Sequence, residues 1–131
     1  MPMSTSHRNS PPEDALRVAD VRLYEKVVDQ LKNLKAEFTV LSKTKPDNVL
    51  NQLKVEIVNE RLKDANQLLI GEHKPFASFD EFGGDKMPTN SDVLLVLSQY
   101  LAAFARWRSA HVYVDALHNH YWRTEDGDIA V

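Results

Sequence analysis

Apolar residues in this chain return at intervals of three and four along three separate stretches, and that spacing limits the fold more than any other feature. The first stretch carries Leu16, Leu23, Val27, Leu31, Leu34, Phe38 and Leu41; the second carries Leu50, Leu53, Ile57, Val58, Leu62, Ala65, Leu68 and Leu69. The third carries Val93, Leu97, Tyr100, Phe104 and Trp107. A period near 3.6 puts each set on one face of a helix, and such a face is stable only against another apolar surface. Local signals bound the stretches. Ser10 precedes Pro11-Pro12-Glu13-Asp14, a cap with a proline-tolerant first turn and acids that suit the positive end of a helix. Pro46 breaks the pattern, Asp47 can cap the second helix, and Gly71 suits a left-handed stop. Thr89-Asn90-Ser91 offers a third cap, and no Gly or Pro interrupts Val93 to Trp122.

These signals predict helices over 12–42, 48–70 and 91–122. The expected fold is all-α, three long helices in an up-down-up antiparallel bundle that is free of strand. An ordered, Phe-rich connector, holding Phe76, Phe79, Phe82 and Met87, precedes the third helix. It is expected to plug the open end of the bundle near Leu16 and Leu23, because long slack loops are rare in compact domains. The domain layout reads as a disordered N-terminal tail over 1–10, a helical bundle over 11–123 and a C-terminal tail over 124–131. A chain of 131 residues with 43% hydrophobic and 27% charged residues has enough apolar surface to fold as one domain without a staple.

Composition removes several function classes. The chain has no Cys, so thiolate zinc sites, Cys nucleophiles and disulfides are excluded. Sixteen basic against 19 acidic residues leave a net charge of −3, and the basic residues are spread along the helices, so nucleic acid is not an expected partner. No apolar run approaches the roughly 18 residues of a membrane span, and the N-terminus lacks the apolar segment of a secretion signal, so no membrane partner and a cytoplasmic location are expected. There is no Gly-rich phosphate loop, serine elbow or dinucleotide fingerprint, and no cofactor is expected.

Three features could carry chemistry. If the third helix runs on, its buried line passes from Trp107 to His111, Asp115 and His118, a two-His, one-carboxylate set that could ligate a metal ion or form a buried hydrogen-bonded network with Arg108. Glu56, Glu60 and Asp64 fall at i, i+4 and i+8, a spacing open to Mg²⁺ but equally to a solvated face interleaved with Arg61 and Lys63. The run Arg106-Trp107-Arg108-Ser109-Ala110-His111-Val112-Tyr113 reads Arg, four residues, His, one residue, Tyr. It resembles the signature of HEPN-domain toxins, small all-helical dimeric ribonucleases. The resemblance implies that Arg106 and His111 act on RNA and that Tyr113 can be nucleotidylated by a partner enzyme. It covers eight residues, and the five-residue step sets Arg106 and His111 about 140° apart around a helix.

The remaining signal is an apolar edge beside the central stripe of the third helix, formed by Val96, Ala103, Ala110, Val114, Leu117 and Tyr121. Its width exceeds what two flanking helices need. The expectation is therefore a protein-interaction module, homo-oligomeric and without catalytic activity of its own, whose partner-binding surface draws on Phe76, Phe79, Phe82, Val96, Ala103, Ala110, Val114 and Tyr121. The alternatives are an RNA-cleaving HEPN-like toxin using Arg106, His111 and Tyr113, or a metal-dependent helical-bundle enzyme using His111, Asp115 and His118.

Overall fold

The structure, a computed structural model, describes residues 15–131. The predicted cap at Ser10 and the tail over 1–10 lie outside the described residues. Three α-helices form the body, α1 (Val18–Thr44), α2 (Gln52–Leu68) and α3 (Asn90–His111), with a 3₁₀ turn at Gly71–His73. A small antiparallel sheet completes the chain, with β1 (Val112–Val114), β2 (His120–Trp122) and β3 (Ile129–Ala130) in the order β1-β2-β3. The chain is thus mostly helical, but not free of strand.

Each helix starts where a local side chain takes up a free amide. Asp20 accepts from the Arg17 amide at 2.9 Å, and Asn51 accepts from the Lys54 amide at 2.9 Å. Thr89 and Asp92 exchange bonds, the Asp92 amide donating to the Thr89 hydroxyl at 3.2 Å and the Thr89 amide to the Asp92 carboxylate at 2.9 Å. Helix α1 therefore begins at Val18 rather than within 15–17, because the Leu16 backbone is engaged elsewhere: its amide donates to the Arg123 carbonyl, and its carbonyl accepts from the Glu125 amide. Helix α2 begins at Gln52 rather than at 48, since the Asn48 carbonyl and the Leu50 amide are paired with Asn90 and Pro88.

The third helix departs furthest from expectation. It stops at His111, and the next eleven residues turn back as a hairpin with Val112 opposite Trp122, Tyr113 opposite Tyr121 and Val114 opposite His120. The absence of Gly and Pro allows a helix here but does not require one. Val112-Tyr113-Val114 and His120-Tyr121-Trp122 are rich in β-branched and aromatic residues that favour a pleated, half-buried strand. Asp115 fixes the turn by accepting from the Leu117 and Asn119 amides, at 2.8 and 2.9 Å, and His118 takes the left-handed conformation at φ 65°. Residues 124–131 are not a tail apart from the bundle: they supply β3 and the buried Thr124, which bridges to Leu16.

Helix order also differs from up-down-up. The end of α1 and the starts of α2 and α3 meet at one pole: the Asn90 side chain donates to the Lys45 carbonyl at 2.8 Å, the Asn90 amide to Asn48 at 3.0 Å, the Ser91 amide to Pro46 at 3.1 Å and the Leu50 amide to Pro88 at 2.9 Å. At the other pole the start of α1 meets the end of α3, where Tyr24 packs on Phe104, Trp107 and Trp122. Helix α1 therefore runs antiparallel to both others, and α2 and α3 run parallel, an up-down-down arrangement.

Parallel neighbours need a long return crossing, and the connector supplies it. It retraces α2, pinned where Asn66 donates to the Asp80 carbonyl and where Asn59 both donates to and accepts from the Phe82 backbone, at 2.7 and 2.8 Å. The Phe residues take the same track. Phe76, Phe79 and Phe82 pack edge to face in series against the core, with Phe76 beside Tyr100 of α3. They line the flank of α2 and α3 rather than plugging the pole near Leu16 and Leu23. The core between the helices is built from Val27, Leu31, Leu62, Val93, Leu97, Tyr100 and Phe104, all essentially inaccessible, and the Tyr100 hydroxyl is satisfied by Asn66 at 2.8 Å.

Candidate functional site

A recess with several polar side chains lies at the aromatic pole, between the start of α1, the end of α2, the 3₁₀ turn and the end of α3. It measures about 360 Å³ and is bordered by Asp20, Gln67, Glu72, His73, Trp107 and His111, with Leu16, Leu68 and Ile70 as apolar walls. Local structure places each polar group. Gly71, at φ 58°, turns the chain beyond α2 and brings Glu72 and His73 back to the bundle. His111 occupies the last turn of α3, and its ring reaches back to the helix's own carbonyls.

His111 is only 7% exposed, and its Nδ1 lies 2.7 Å from the Trp107 carbonyl oxygen. A carbonyl can only accept, so Nδ1 carries the proton. The Trp107 ring packs against it at 4.6 Å, and the His73 ring stands 5.9 Å away. His73 in turn has its Nε2 3.9 Å from a Glu72 carboxylate oxygen. Asp20 is already engaged by the backbone amide of Arg17 and by its guanidinium at 3.6 Å.

The residues singled out from the sequence are not gathered here. A helix continuing past His111 would have put Asp115 and His118 on its face. The helix ends before them, so Asp115 holds the hairpin turn and His118 is exposed within it. The Asp115 carboxyl is held below its ordinary range by the Asn119 amide first and then the Leu117 amide, the mark of a turn-fixing acceptor. No group of three or more His, Asp or Glu converges on one point among the described residues, and that includes Glu56, Glu60 and Asp64.

The three residues of the HEPN-like string also part company. Arg106 is exposed on α3, His111 is buried in the recess, and Tyr113 sits on β1 with its hydroxyl donating to Asp128 at 2.6 Å. The bond to Asp128 raises the Tyr113 phenol above its usual range. Its ring stacks on Tyr121 and receives Arg123 at 5.1 Å, while Arg108 lies over Trp122 at 5.9 Å rather than pairing with Asp115.

The apolar edge expected along the third helix is divided as well. Val96 and Ala103 are in the core, Ala110 is exposed on the last turn of α3, and Val114, Leu117 and Tyr121 belong to the hairpin. The site residue that periodicity does not reveal is His73. It lies just outside a helix, where no helical stripe includes it; Gly71 leading into Glu72-His73 at a helix end is the signal available.

A different surface carries exposed apolar side chains. Between α1 and α2 runs a shallow groove of about 180 Å³ lined by Leu34, Phe38, Leu41, Ile57 and Val58, with Glu37 on one rim and Lys54 on the other. Val40 on α1 and Leu53 on α2 are each 64% exposed, and Ile57, which lines the groove, is 40% exposed. Among the described residues, no helix is long and apolar enough to cross a membrane. No protein-family model, curated protein or solved structure matches this chain.

Proposed function

We propose that this chain is a non-enzymatic helical interaction module that self-associates through the α1/α2 groove. The observation that carries the reading is the exposure of Val40, Leu53 and Ile57, three large apolar residues on the two helices that bound an apolar groove. Leaving such surface in water costs roughly 25 cal/mol per Å², and a partner that covers it recovers that cost. The rim favours a second copy. Glu37 on α1 and Lys54 on α2 both line the groove with opposite charge, so that under a two-fold axis Glu37 of each copy can meet Lys54 of the other in an isologous interface. The separation of Arg106, His111 and Tyr113 supports the non-catalytic part of the reading.

Sedimentation equilibrium at micromolar concentration should give a species twice the 14.9 kDa chain mass, and Leu53→Glu with Ile57→Glu should return it to monomer. A charge swap tests the pairing. Glu37→Lys alone and Lys54→Glu alone should each weaken association, and the double swap should restore it. A wild-type monomer, or a double swap weaker than either single variant, would overturn the proposal. So would RNA cleavage that depends on Arg106.

A further inference from the structure

We infer that the recess at the aromatic pole binds a small organic cation that donates hydrogen bonds, of which an alkylguanidinium is the type. The inference is independent of the α1/α2 groove. His111 is the anchoring group: it is more than nine-tenths buried, and its Nδ1–H is spent on the Trp107 carbonyl at 2.7 Å. Nε2, on the far edge of the ring, makes no hydrogen bond to the described residues. The unpartnered side-chain atoms closed to solvent among those residues are Gln30 Oε1 and Ser42 Oγ. His111 Nε2 is not one of them, and the recess is the opening that its ring borders. Buried polar groups are normally paired, and a neutral imidazole protonated on Nδ1 takes only a donor at its other nitrogen.

The rest of the lining sets the charge of that donor. Asp20 and Glu72 are acids, Gln67 is neutral, and among the described residues no Lys or Arg borders the recess. Asp20 is engaged by the Arg17 amide and, at 3.6 Å, by the Arg17 guanidinium. Glu72 is the carboxylate left to meet a ligand's charge; its side chain is 89% exposed, and one oxygen lies 3.9 Å from His73 Nε2. An anion placed here would face acids with no fixed cation to balance it, whereas a cation is attracted. Leu16, Leu68 and Ile70 form the apolar walls, which suit an alkyl portion. A guanidinium spreads five N–H donors around a plane, so it serves acceptors that do not share one point, with one edge for His111 Nε2 and another for Glu72. The recess, at about 360 Å³, has room for such a molecule.

The test is titration of the purified chain with n-butylguanidinium, followed by calorimetry and by the imidazole nitrogen resonances in NMR. Pentanoate, an anion of similar length, is the comparison. The expected result is one n-butylguanidinium per chain, a shift of the His111 Nε2 resonance as that nitrogen accepts a bond, and no binding of millimolar pentanoate. His111→Phe keeps a ring in the aromatic packing and removes the acceptor; affinity should fall at least about ten-fold, the worth of one hydrogen bond to a charged group. Glu72→Gln, at an exposed position that does not bear on folding, should weaken binding about two- to three-fold and reduce its sensitivity to salt. It keeps the inference testable if His111→Phe does not fold. The acidic Glu125 and Asp126 form the competing surface site. If Glu125→Gln with Asp126→Asn abolishes binding, if folded His111→Phe or Glu72→Gln binds as tightly as wild type, or if pentanoate binds equally well, the inference is overturned. If the wild type takes up no n-butylguanidinium, or takes it up with the His111 Nε2 resonance unmoved, it fails outright.

Discussion

The two poles of the bundle are closed by different physics. Where α1 ends and α2 and α3 begin, closure is by backbone: the Leu50, Asn90 and Ser91 amides donate to Pro88, Asn48 and Pro46, and the side chain that joins them is Asn90 on Lys45. Where α1 begins and α3 ends, closure is by rings. Tyr24 stacks on Trp107 at 5.2 Å and meets Trp122 edge-on at 5.0 Å, with Phe104 beside them. A lashing of many modest bonds loses little with any one of them, whereas an aromatic closure concentrates its stabilisation in a few large side chains.

The largest effect should come from breaking the rings. Trp122 is buried and joins the sheet to α1 and α3, so Trp122→Ala should cost about 3 to 5 kcal/mol, read from denaturant unfolding. A loss below about 1 kcal/mol would mean that the sheet is an ornament on a bundle closed without it. Between the poles, Asn59→Ala frees the connector at Phe82 by removing two bonds, for an expected loss of about 2 kcal/mol; proteolytic nicking within 76–87 should rise in parallel. At the lashed pole Asn90→Ala removes a single side-chain bond, and about 1 kcal/mol is expected because three backbone bonds remain. Equal losses for Asn90→Ala and Trp122→Ala would erase the contrast.

The smallest effect is acid sensitivity. The Asp115 carboxyl is depressed in the folded state from a reference of 3.8, so its contribution is complete above that value and disappears as pH falls through the lower, folded value. Amide exchange of Leu117 and Asn119 should therefore quicken below about pH 4, while Leu50, Asn90 and Ser91 at the opposite pole keep their protection. Loosening of both poles together on acidification would show that this carboxylate is not what distinguishes them.

The same contrast separates the parts of the fold that are legible in the chain from those that are not. The lashed pole is partly legible because Pro46, Thr89 and Asp92 act on residues a few positions away, and the starts and faces of the helices depend on such short-range signals. The aromatic pole is not, since Tyr24, Trp107 and Trp122 meet only after the whole chain has folded, and periodicity is silent on which distant faces pair. The end of α3 is hidden for a related reason. Val112, Tyr113 and Val114 satisfy a helical stripe as well as a strand, and only pairing with His120–Trp122 decides between them. His111 stands out in the sequence as the polar break in the stripe, but periodicity points to a neighbour one turn further along the same helix. Its neighbour lies instead on the connector, brought there by the direction in which α2 runs.

The parallel bridge between Leu16 and Thr124 bears on how the protein is made. A ribosome delivers Leu16 long before Arg123 and Glu125, the residues whose backbone groups bond to it. Until then Tyr24 lacks its edge-on contact with Trp122, and the aromatic closure around Trp107 is incomplete. Closure of the aromatic pole therefore waits for Trp122 to Glu125, which follow all three helices in the chain. A stalled chain released after α3 would present a nearly complete set of helices with an uncovered aromatic pole, the kind of surface that chaperones hold.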